Sequence, residues 1–147
     1  MRSKLIPMVE DTEDDELLIR RALDRARIQN TVIVARDGRE ALDFFASEGG
    51  LSGREPFIFP DLVLLDLKLP RVDGLTVLGG LRAGPVSRTI PVVVLSSSDE
   101  PRDIVESYRQ GANSHVKKLL EYSLFAEAIE RVCVYWLRLN VPSPGAE

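Results

Sequence analysis

The sequence predicts an α/β fold in which five parallel strands alternate with five helices. Five short apolar segments recur along the 147 residues, and apolar side chains with helical spacing occupy the intervals between them. The first four apolar segments lack polar alternation, which is typical of strands covered on both faces of a parallel sheet. This alternation of elements favours right-handed crossovers and a flavodoxin-like, doubly wound sheet with strand order 2-1-3-4-5.

The predicted strands occupy residues 4–9, 31–35, 61–66, 90–96 and 114–118, and the last of them is assigned mainly by its position. Pro7 lies inside the first strand, where the missing N–H should cost one hydrogen bond of the sheet. A bulge, or a strand that begins only at Met8, would accommodate this proline.

The predicted helices occupy residues 14–27, 37–50, 74–82, 101–111 and 123–139. The second begins with capping-box spacing between Asp37 and Glu40 and is expected to end at Gly49–Gly50. The third is weakened by two internal glycines. One stripe of the fifth helix is predicted to face the core, and it consists of Phe125, Ile129, Val132 and Trp136.

Composition narrows the class of protein. The formal net charge is −4 and the most basic stretch, residues 20–27, is interpreted as a solvated helix face, which argues against nucleic-acid binding. Cys133 is the single cysteine, so no internal disulfide can form, and we expect it to be a buried apolar residue. No apolar run reaches the length of a membrane span, and we expect a cytoplasmic protein with one domain, residues 1–139, and a tail, residues 140–147.

Polar residues follow four of the five predicted strands. Glu10 and Asp11 follow the first strand, and the third ends in Asp66; Ser96 and Lys118 close the fourth and fifth. Because ligand sites in doubly wound sheets lie outside the carboxyl ends of the strands, we expect these side chains to converge. Three neighbouring carboxylates can bind Mg²⁺, and a lysine together with a nearby hydroxyl group can bind phosphoryl oxygens. An aspartate in this setting can accept a phosphoryl group.

Simpler interpretations of the same residues remain open at this point. Glu10 and Asp11 could simply mark the start of the first helix, because acidic residues are favourable near a helix N-terminus. Ser96 by itself could be an ordinary residue at the end of a strand. Lys117 adjoins Lys118 and could be the lysine that reaches the site.

The motifs "VED" (9–11), "LLDLKLPRVDG", "VVVLSS" and "GANSHVKK" together resemble the motif set of bacterial two-component receiver domains, over residues 4–139. The linker "GGLSGREPFIFPD" and the ending "VYWLRL" resemble more particularly the single-domain regulators paired with bacterial phytochromes. The resemblance implies that Asp66 is the phosphoacceptor, that Asp11 binds Mg²⁺ directly and Glu10 through water, and that the backbone carbonyl of Lys68 completes the metal site. We interpret the side chain of Lys68 as a solvated lysine on the rim.

The resemblance also assigns residues that would respond to phosphorylation. Ser96 matches the switch hydroxyl and Ser97 the small residue beside it, while Lys118 matches the lysine that bridges to the phosphoryl oxygens. His115 falls where such families have a rotating aromatic residue. Leu119 departs from the motif, since a proline normally follows the lysine, and we expect a trans peptide bond here because a non-proline cis bond costs about 2.5–4 kcal/mol.

The implied function is a stand-alone switch without an effector domain. A sensor histidine kinase would phosphorylate Asp66 with Mg²⁺, and the output would be a changed surface on helix 4, strand 5 and helix 5. The protein would be no enzyme toward a separate substrate, although it would assist its own phosphotransfer and dephosphorylation. Apolar residues around the end of the last helix predict a homodimer, with Tyr135, Trp136 and Leu137 at its interface.

Two other functions compete with the switch. Leu119 and Pro7 would also suit a receiver-like interaction module that is no longer phosphorylated. A phosphatase of the aspartyl-phosphate kind also uses an aspartate at a strand end, but it places a second acid two residues later. Lys68 occupies that position here, so we regard the phosphatase as the weaker alternative.

Overall fold

The computed structural model describes residues 3–46, 60–85 and 87–144. Within these ranges five strands form one parallel sheet in the order β2-β1-β3-β4-β5, which confirms the predicted topology. The strands are β1 (Lys4–Val9), β2 (Asn30–Ala35), β3 (Val63–Asp66), β4 (Val92–Ser96) and β5 (Ser114–Lys117).

Five α-helices cross between or follow the strands in the described residues. They are α1 (Glu13–Arg25), α2 (Gly38–Ala46), α3 (Gly74–Ala83), α4 (Pro101–Arg109) and α5 (Tyr122–Val134). The predicted capping residue of α2 is present, since Asp37 Oδ1 accepts the backbone N–H of Glu40 at 2.8 Å. The predicted end of α2 at Gly49–Gly50 lies outside the described residues. None of the helices in these ranges has the length and apolar character that crossing a membrane requires.

Pro7 is accommodated without a bulge and without shortening β1. It pairs in register with Ile33 of β2, so both expectations about this proline were wrong. The backbone N–H of Leu5 donates to Asp61 on the opposite side of β1, and Pro7, two residues later, faces that same side. Pairing of β1 with β3 begins only at Met8, so the missing N–H falls before that ladder starts.

Both faces of the sheet are covered, which explains why the strands read as continuous apolar runs. One face packs against α1 and α5, with Ile19, Leu23, Phe125 and Ile129 in its core. The other packs mainly against α2 and α3, with Ala41, Val77 and Leu81 in its core. The carboxyl ends of the central strands are therefore the free edge at which polar side chains can gather.

The last helix differs in phase from the prediction. α5 continues into a π-helical turn, Tyr135–Leu139, and the buried stripe consists of Phe125, Ile129, Cys133 and Leu137. Val132 and Trp136 are only partly buried against this core. Leu137 is 5% exposed, so it does not fit the predicted dimer interface, because the core already covers it. Tyr135 is 48% exposed and stays available to a partner.

An arginine ties together the amino-terminal edges of β4 and β5. The guanidinium of Arg82, at the end of α3, donates to the backbone carbonyls of Ser87, Arg88, Ile90 and Gly111 and to the side-chain oxygen of Asn113. The amide oxygen of Asn113 also accepts the backbone N–H of Val92 at 2.8 Å. These bonds join α3 to the loops that enter both strands, at the edge of the sheet opposite the acidic residues.

Candidate metal centre

Asp66 is the last residue of β3 and is buried, with 6% of its surface exposed. Its Oδ1 accepts the backbone N–H of Lys68 at 3.2 Å, and its Oδ2 accepts from Lys118 Nζ at 3.0 Å. A Cβ added at Gly74 would lie 2.3 Å from the carbonyl oxygen of Asp66. Only glycine therefore lets the start of α3 pass this close to the strand end, and that passage fixes the backbone around Asp66.

The acidic pair after β1 lies beside Asp66. One carboxylate oxygen from each of Glu10, Asp11 and Asp66 lies within 4.8 Å of the other two. A set of three carboxylate oxygens at this separation fits a hard divalent cation such as Mg²⁺ or Mn²⁺. Glu10 is buried whereas Asp11 is exposed, so a cation could enter from the side of Asp11 and keep water ligands there.

Glu10 does not serve as the cap of α1. Thr12 is the N-cap residue, and both its backbone N–H and its hydroxyl donate to Glu10 Oε2 at 3.2 Å. Burial and the nearby charge of Asp66 raise the pKa of Glu10 to about 7, although Lys118 opposes the shift. A cation bound here would offset the repulsion between Glu10 and Asp66 that contributes to this shift.

Lys118 supplies the positive charge of the site. Its ammonium donates to Asp15 Oδ2 at 2.7 Å, to Glu10 Oε1 at 2.9 Å and to Asp66 Oδ2 at 3.0 Å. Burial lowers the pKa of Lys118, but its hydrogen bond to Asp15 and the charges of Asp66 and Glu10 outweigh that effect and raise the pKa. Its backbone N–H donates to the carbonyl of Ser96 at 2.8 Å, which extends the pairing of β4 and β5 to the edge of the site.

The structure distinguishes the two neighbouring lysines. Lys117 forms an exposed ion pair with Asp99, and Lys118 is the one that reaches the carboxylates. Leu119, which stands where a proline was expected, is 37% exposed and leaves Lys118 in the site. The side chain of Lys68 is exposed, as expected for a lysine on the rim.

Asp15 is a member of the site that the sequence reasoning missed. It lies in the first turn of α1, where its backbone N–H donates to the hydroxyl of Thr12 at 3.4 Å. Its carboxylate makes the shortest of the three contacts with Lys118. The available signal was its position four residues after Asp11, but that spacing only becomes informative when the direction of α1 is known.

The predicted switch residues lie around β4 and its loop. Ser96 is fully buried, and its Oγ accepts the backbone N–H of Ser98 at 3.0 Å. Ser97 is exposed on the rim. The hydroxyl of Ser98 donates to Asp103 in the first turn of α4. A movement of Ser96 would therefore act on the loop that leads into α4.

His115 of β5 points toward α4. Its Nδ1 lies 2.9 Å from the hydroxyl of Ser107, and that hydroxyl donates to the carbonyl of Ile104 at 2.8 Å. With the serine hydrogen donated to Ile104, the contact between Ser107 and Nδ1 is a hydrogen bond in the tautomer of His115 that carries its hydrogen on Nδ1. Nε2 is buried without a hydrogen-bond partner among the described residues, and burial lowers the pKa of His115.

Comparison with known proteins places these features in a family. A family model described as response regulator receiver domain matches residues 6–130. The probable methanogenesis regulatory protein FilR2 of Methanothrix harundinacea is 39% identical over 142 residues, which cover 96% of this chain and 88% of FilR2. Response regulator Rcp1 of Synechocystis is 32% identical over 143 residues, 97% of this chain and 95% of Rcp1.

Solved structures show the same similarity. The phosphorylated cyanobacterial phytochrome response regulator RcpA superposes with a TM-score of 0.86 at 34% identity, covering 96% of this chain and 99% of RcpA. The Mn²⁺-bound form of Rcp1 superposes with a TM-score of 0.84 at 31% identity, covering 95% of this chain and 99% of Rcp1.

Proposed function

Because the chain belongs to the response regulator receiver domain family, we propose that it is a phosphorylation switch with Asp66 as its phosphoacceptor. The observation that carries this proposal is the surroundings of Asp66. Its carboxylate lies among the acids that could hold a divalent cation and also accepts a hydrogen bond from Lys118. The arrangement supplies positive charge where a phosphoryl group on Asp66 would place its oxygens.

The proposed reaction is an in-line displacement at phosphorus. A carboxylate oxygen of Asp66 attacks the phosphorus of a phosphohistidine, the O–P bond forms, and the P–N bond breaks with its electron pair going to the imidazole. Lys118 then donates to a phosphoryl oxygen, and Ser96 reaches another after releasing the N–H of Ser98. In dephosphorylation water attacks phosphorus, and Asp66 leaves as a carboxylate with inorganic phosphate released.

Mg²⁺ is the cation that we propose for the site. Glu10, Asp11 and Asp66 would hold it, with the backbone carbonyl of Lys68 as a further ligand. When bound, it would neutralise the negative charge that brings carboxylates and phosphoryl oxygens together. The Mn²⁺-bound structure of Rcp1 supports a divalent cation in this family, and the oxygen ligands here suit Mg²⁺ equally.

The partner that we propose is a sensor histidine kinase, and more narrowly a bacterial phytochrome. The support is the similarity to Rcp1 and to the phytochrome response regulator RcpA over nearly the whole chain. A kinase that forms its phosphohistidine from ATP would transfer the phosphoryl group in the cytoplasm, which is the compartment that we propose for this protein. We propose no nucleic-acid partner, in keeping with the net charge of −4.

The output would pass through α4, β5 and α5. Ser107 is the one fully buried residue of α4 in the described structure, and it is polar. The helix is instead tied by Ser98 to Asp103 in its first turn and by His115 to Ser107 in its last. An element held by a few hydrogen bonds moves at lower cost than one held by a buried apolar face. Such a helix suits a surface that changes when Ser96 moves.

A homodimer through the end of the last helix extends the proposal. A groove of about 370 Å³ runs along this end and is lined by Glu127, Glu130, Arg131, Val134, Tyr135 and Leu139. Tyr135 and Leu139 are 48% and 68% exposed and supply apolar surface that a second copy could cover. Light scattering after size exclusion tests this: Leu139→Asp should yield monomers, whereas an unchanged dimer would rule out this surface.

Labelling with Mg²⁺ and a small phosphodonor such as acetyl phosphate tests the switch. We expect intact-mass analysis to show one added phosphoryl group that is lost in Asp66→Asn and kept in Asp43→Asn, an exposed aspartate of α2. Absence of any labelling of the folded protein would favour the inert interaction module. Rapid turnover of many phosphoesters without accumulation would favour the phosphatase.

A further inference from the structure

The ammonium of Lys118 has all three of its hydrogens engaged. They are donated to Asp15, Glu10 and Asp66, at 2.7, 2.9 and 3.0 Å respectively. An ammonium offers three donors and no more, so a new acceptor must displace an existing one or share its hydrogen. The lysine can therefore reach a phosphoryl group only in competition with the carboxylates that already hold it.

The three carboxylates differ in what phosphorylation would do to them. Esterification of Asp66 moves its negative charge onto the phosphoryl oxygens, so that contact is exchanged for the new one. Glu10 is 1% exposed and is held in place by two hydrogen bonds from Thr12. Asp15 keeps its charge and belongs to α1 and not to β3, so its carboxylate continues to compete with the phosphoryl oxygens for the ammonium.

We propose that Asp15 is a positioning residue that holds the Lys118 ammonium toward α1 and thereby weakens its attraction to the phosphoryl group on Asp66. The inference rests on the proposed phosphorylation of Asp66 and names a residue that regulates that site. The side chains of Asp15 and Lys118 are 21% and 13% exposed, so solvent screens this ion pair only in part. Asp15 thus sets how firmly the phosphorylated state is held.

Asp14 provides a matched control for the possibility that Asp15 only stabilises helix α1. An acid in the first turn of α1 is favourable because it faces the positive end of the helix dipole. Asp14 occupies the same turn and is exposed, and it takes part in none of the ion pairs that the described residues form with Lys118. Asp14→Asn therefore removes the same charge from the same helix end without releasing the lysine.

Binding of trifluoroberyllate, a phosphoryl mimic, at saturating Mg²⁺ measures the competition directly. We expect Asp15→Asn to bind this mimic about threefold to tenfold more tightly than the wild type, and Asp14→Asn to change the affinity less than about twofold. Asp15→Glu should restore most of the wild-type affinity. In a Lys118→Met background the substitution of Asp15 should have no effect. Equal effects of Asp14→Asn and Asp15→Asn, or an effect of Asp15→Asn that persists in Lys118→Met, would overturn the proposal.

A second measurement separates this proposal from the proposed function. Hydrogen exchange of the Lys118 ammonium, followed by ¹⁵N NMR in the metal-free protein, requires no phosphorylation. We expect faster exchange in Asp15→Asn and no change in Asp14→Asn. If the wild type is not labelled on Asp66 but exchange accelerates, the switch fails and the hold of Asp15 on Lys118 stands. If labelling succeeds while exchange is unaffected, the role of Asp15 is refuted.

Discussion

Lys118 and Arg82 are partly buried cations at opposite edges of the same sheet, and their surroundings differ in kind. Lys118 has three carboxylates as acceptors, two of which could also bind a divalent cation. Arg82 donates to four backbone carbonyls and one side-chain amide, all of them neutral. A metal ion could bind two of the carboxylates that accept from Lys118, and a phosphoryl group could replace one of them as acceptor. The acceptors of Arg82 are parts of the folded backbone and of Asn113.

The charge balance of the carboxyl-terminal edge of the sheet can change on ligand binding, whereas that of the amino-terminal edge cannot. At the carboxyl-terminal edge, repulsion among the acids is only partly balanced, so a ligand can stabilise the protein there. At the amino-terminal edge each contact joins two segments of the chain, and no soluble ligand can replace them. The two cations should therefore respond differently to substitution and, above all, to added Mg²⁺.

The largest effect on stability is expected for Arg82→Met. Removal of the guanidinium leaves its carbonyl acceptors without their donor, and we expect a loss of about 3 kcal/mol in the free energy of unfolding. Urea unfolding with and without Mg²⁺ measures this, and Mg²⁺ should restore none of the loss. Arg82→Lys should recover less than half of it, because an ammonium cannot reach acceptors on several loops at once. Full recovery by lysine would show that charge alone matters at this edge.

Lys118→Met should lower the free energy of unfolding somewhat less than Arg82→Met, and added Mg²⁺ should reduce this loss. In metal-free protein the substitution leaves three carboxylates facing each other, and we expect a loss of about 2 kcal/mol at pH 8 and low salt. Added Mg²⁺ should return most of this stability, since it supplies the missing positive charge. A loss that Mg²⁺ leaves unchanged would mean that the two edges of the sheet do not differ in the way proposed.

The sequence was informative about the carboxyl-terminal edge of the sheet and much less so about the amino-terminal edge. Residues at strand ends, such as Asp66 and Lys118, could be placed because the order of strands in a parallel sheet determines which ends are neighbours. Asp15 could not be placed, because its approach to Lys118 depends on how α1 leaves its cap. The contacts of Arg82 join loops far apart in the chain, and no periodicity reports such pairings.

The sequence also did not determine which residues of the last helix face the core. A regular α-helical stripe predicts Val132 and Trp136 on the buried face, but the structure instead buries Cys133, within α5, and Leu137, in the π-helical turn. A pattern of apolar residues every three or four positions is compatible with either choice.

The pH dependence of stability offers a finer test of the acidic edge. The pKa of Glu10 is raised from 4.5 to about 7, so between these values the folded protein binds a proton more readily than the unfolded chain. The free energy of unfolding of metal-free protein should therefore fall as the pH rises through this window. Glu10→Gln should remove that slope and stabilise the metal-free protein at pH 8 by about 1–2 kcal/mol.

Urea unfolding in EDTA at pH 5.5 and pH 8 measures the Glu10 effect as a difference between variant and wild type. His115 contributes the opposite slope, because burial lowers its pKa and stability is lost as the pH falls below its ordinary value. Since both proteins keep His115, its contribution cancels in the difference. An equal slope in Glu10→Gln and wild type would show that Glu10 is ionised alike in the folded and unfolded states.

The smallest effect on stability is expected for Lys117→Ala. This substitution shows how much the surroundings of a lysine matter beyond its charge. Lys117 and Lys118 are consecutive lysines, but the pair of Lys117 with Asp99 has side chains that are 50% and 75% exposed. Exposed pairs of this kind contribute little, so we expect Lys117→Ala to change the free energy of unfolding by less than about 0.5 kcal/mol. Labelling of Asp66 by acetyl phosphate should keep its wild-type rate, whereas Lys118→Met should slow it. If both substitutions slowed labelling equally, the net charge near the loop would matter more than the contact with Asp66, and the contrast between buried and exposed cations would no longer explain the site.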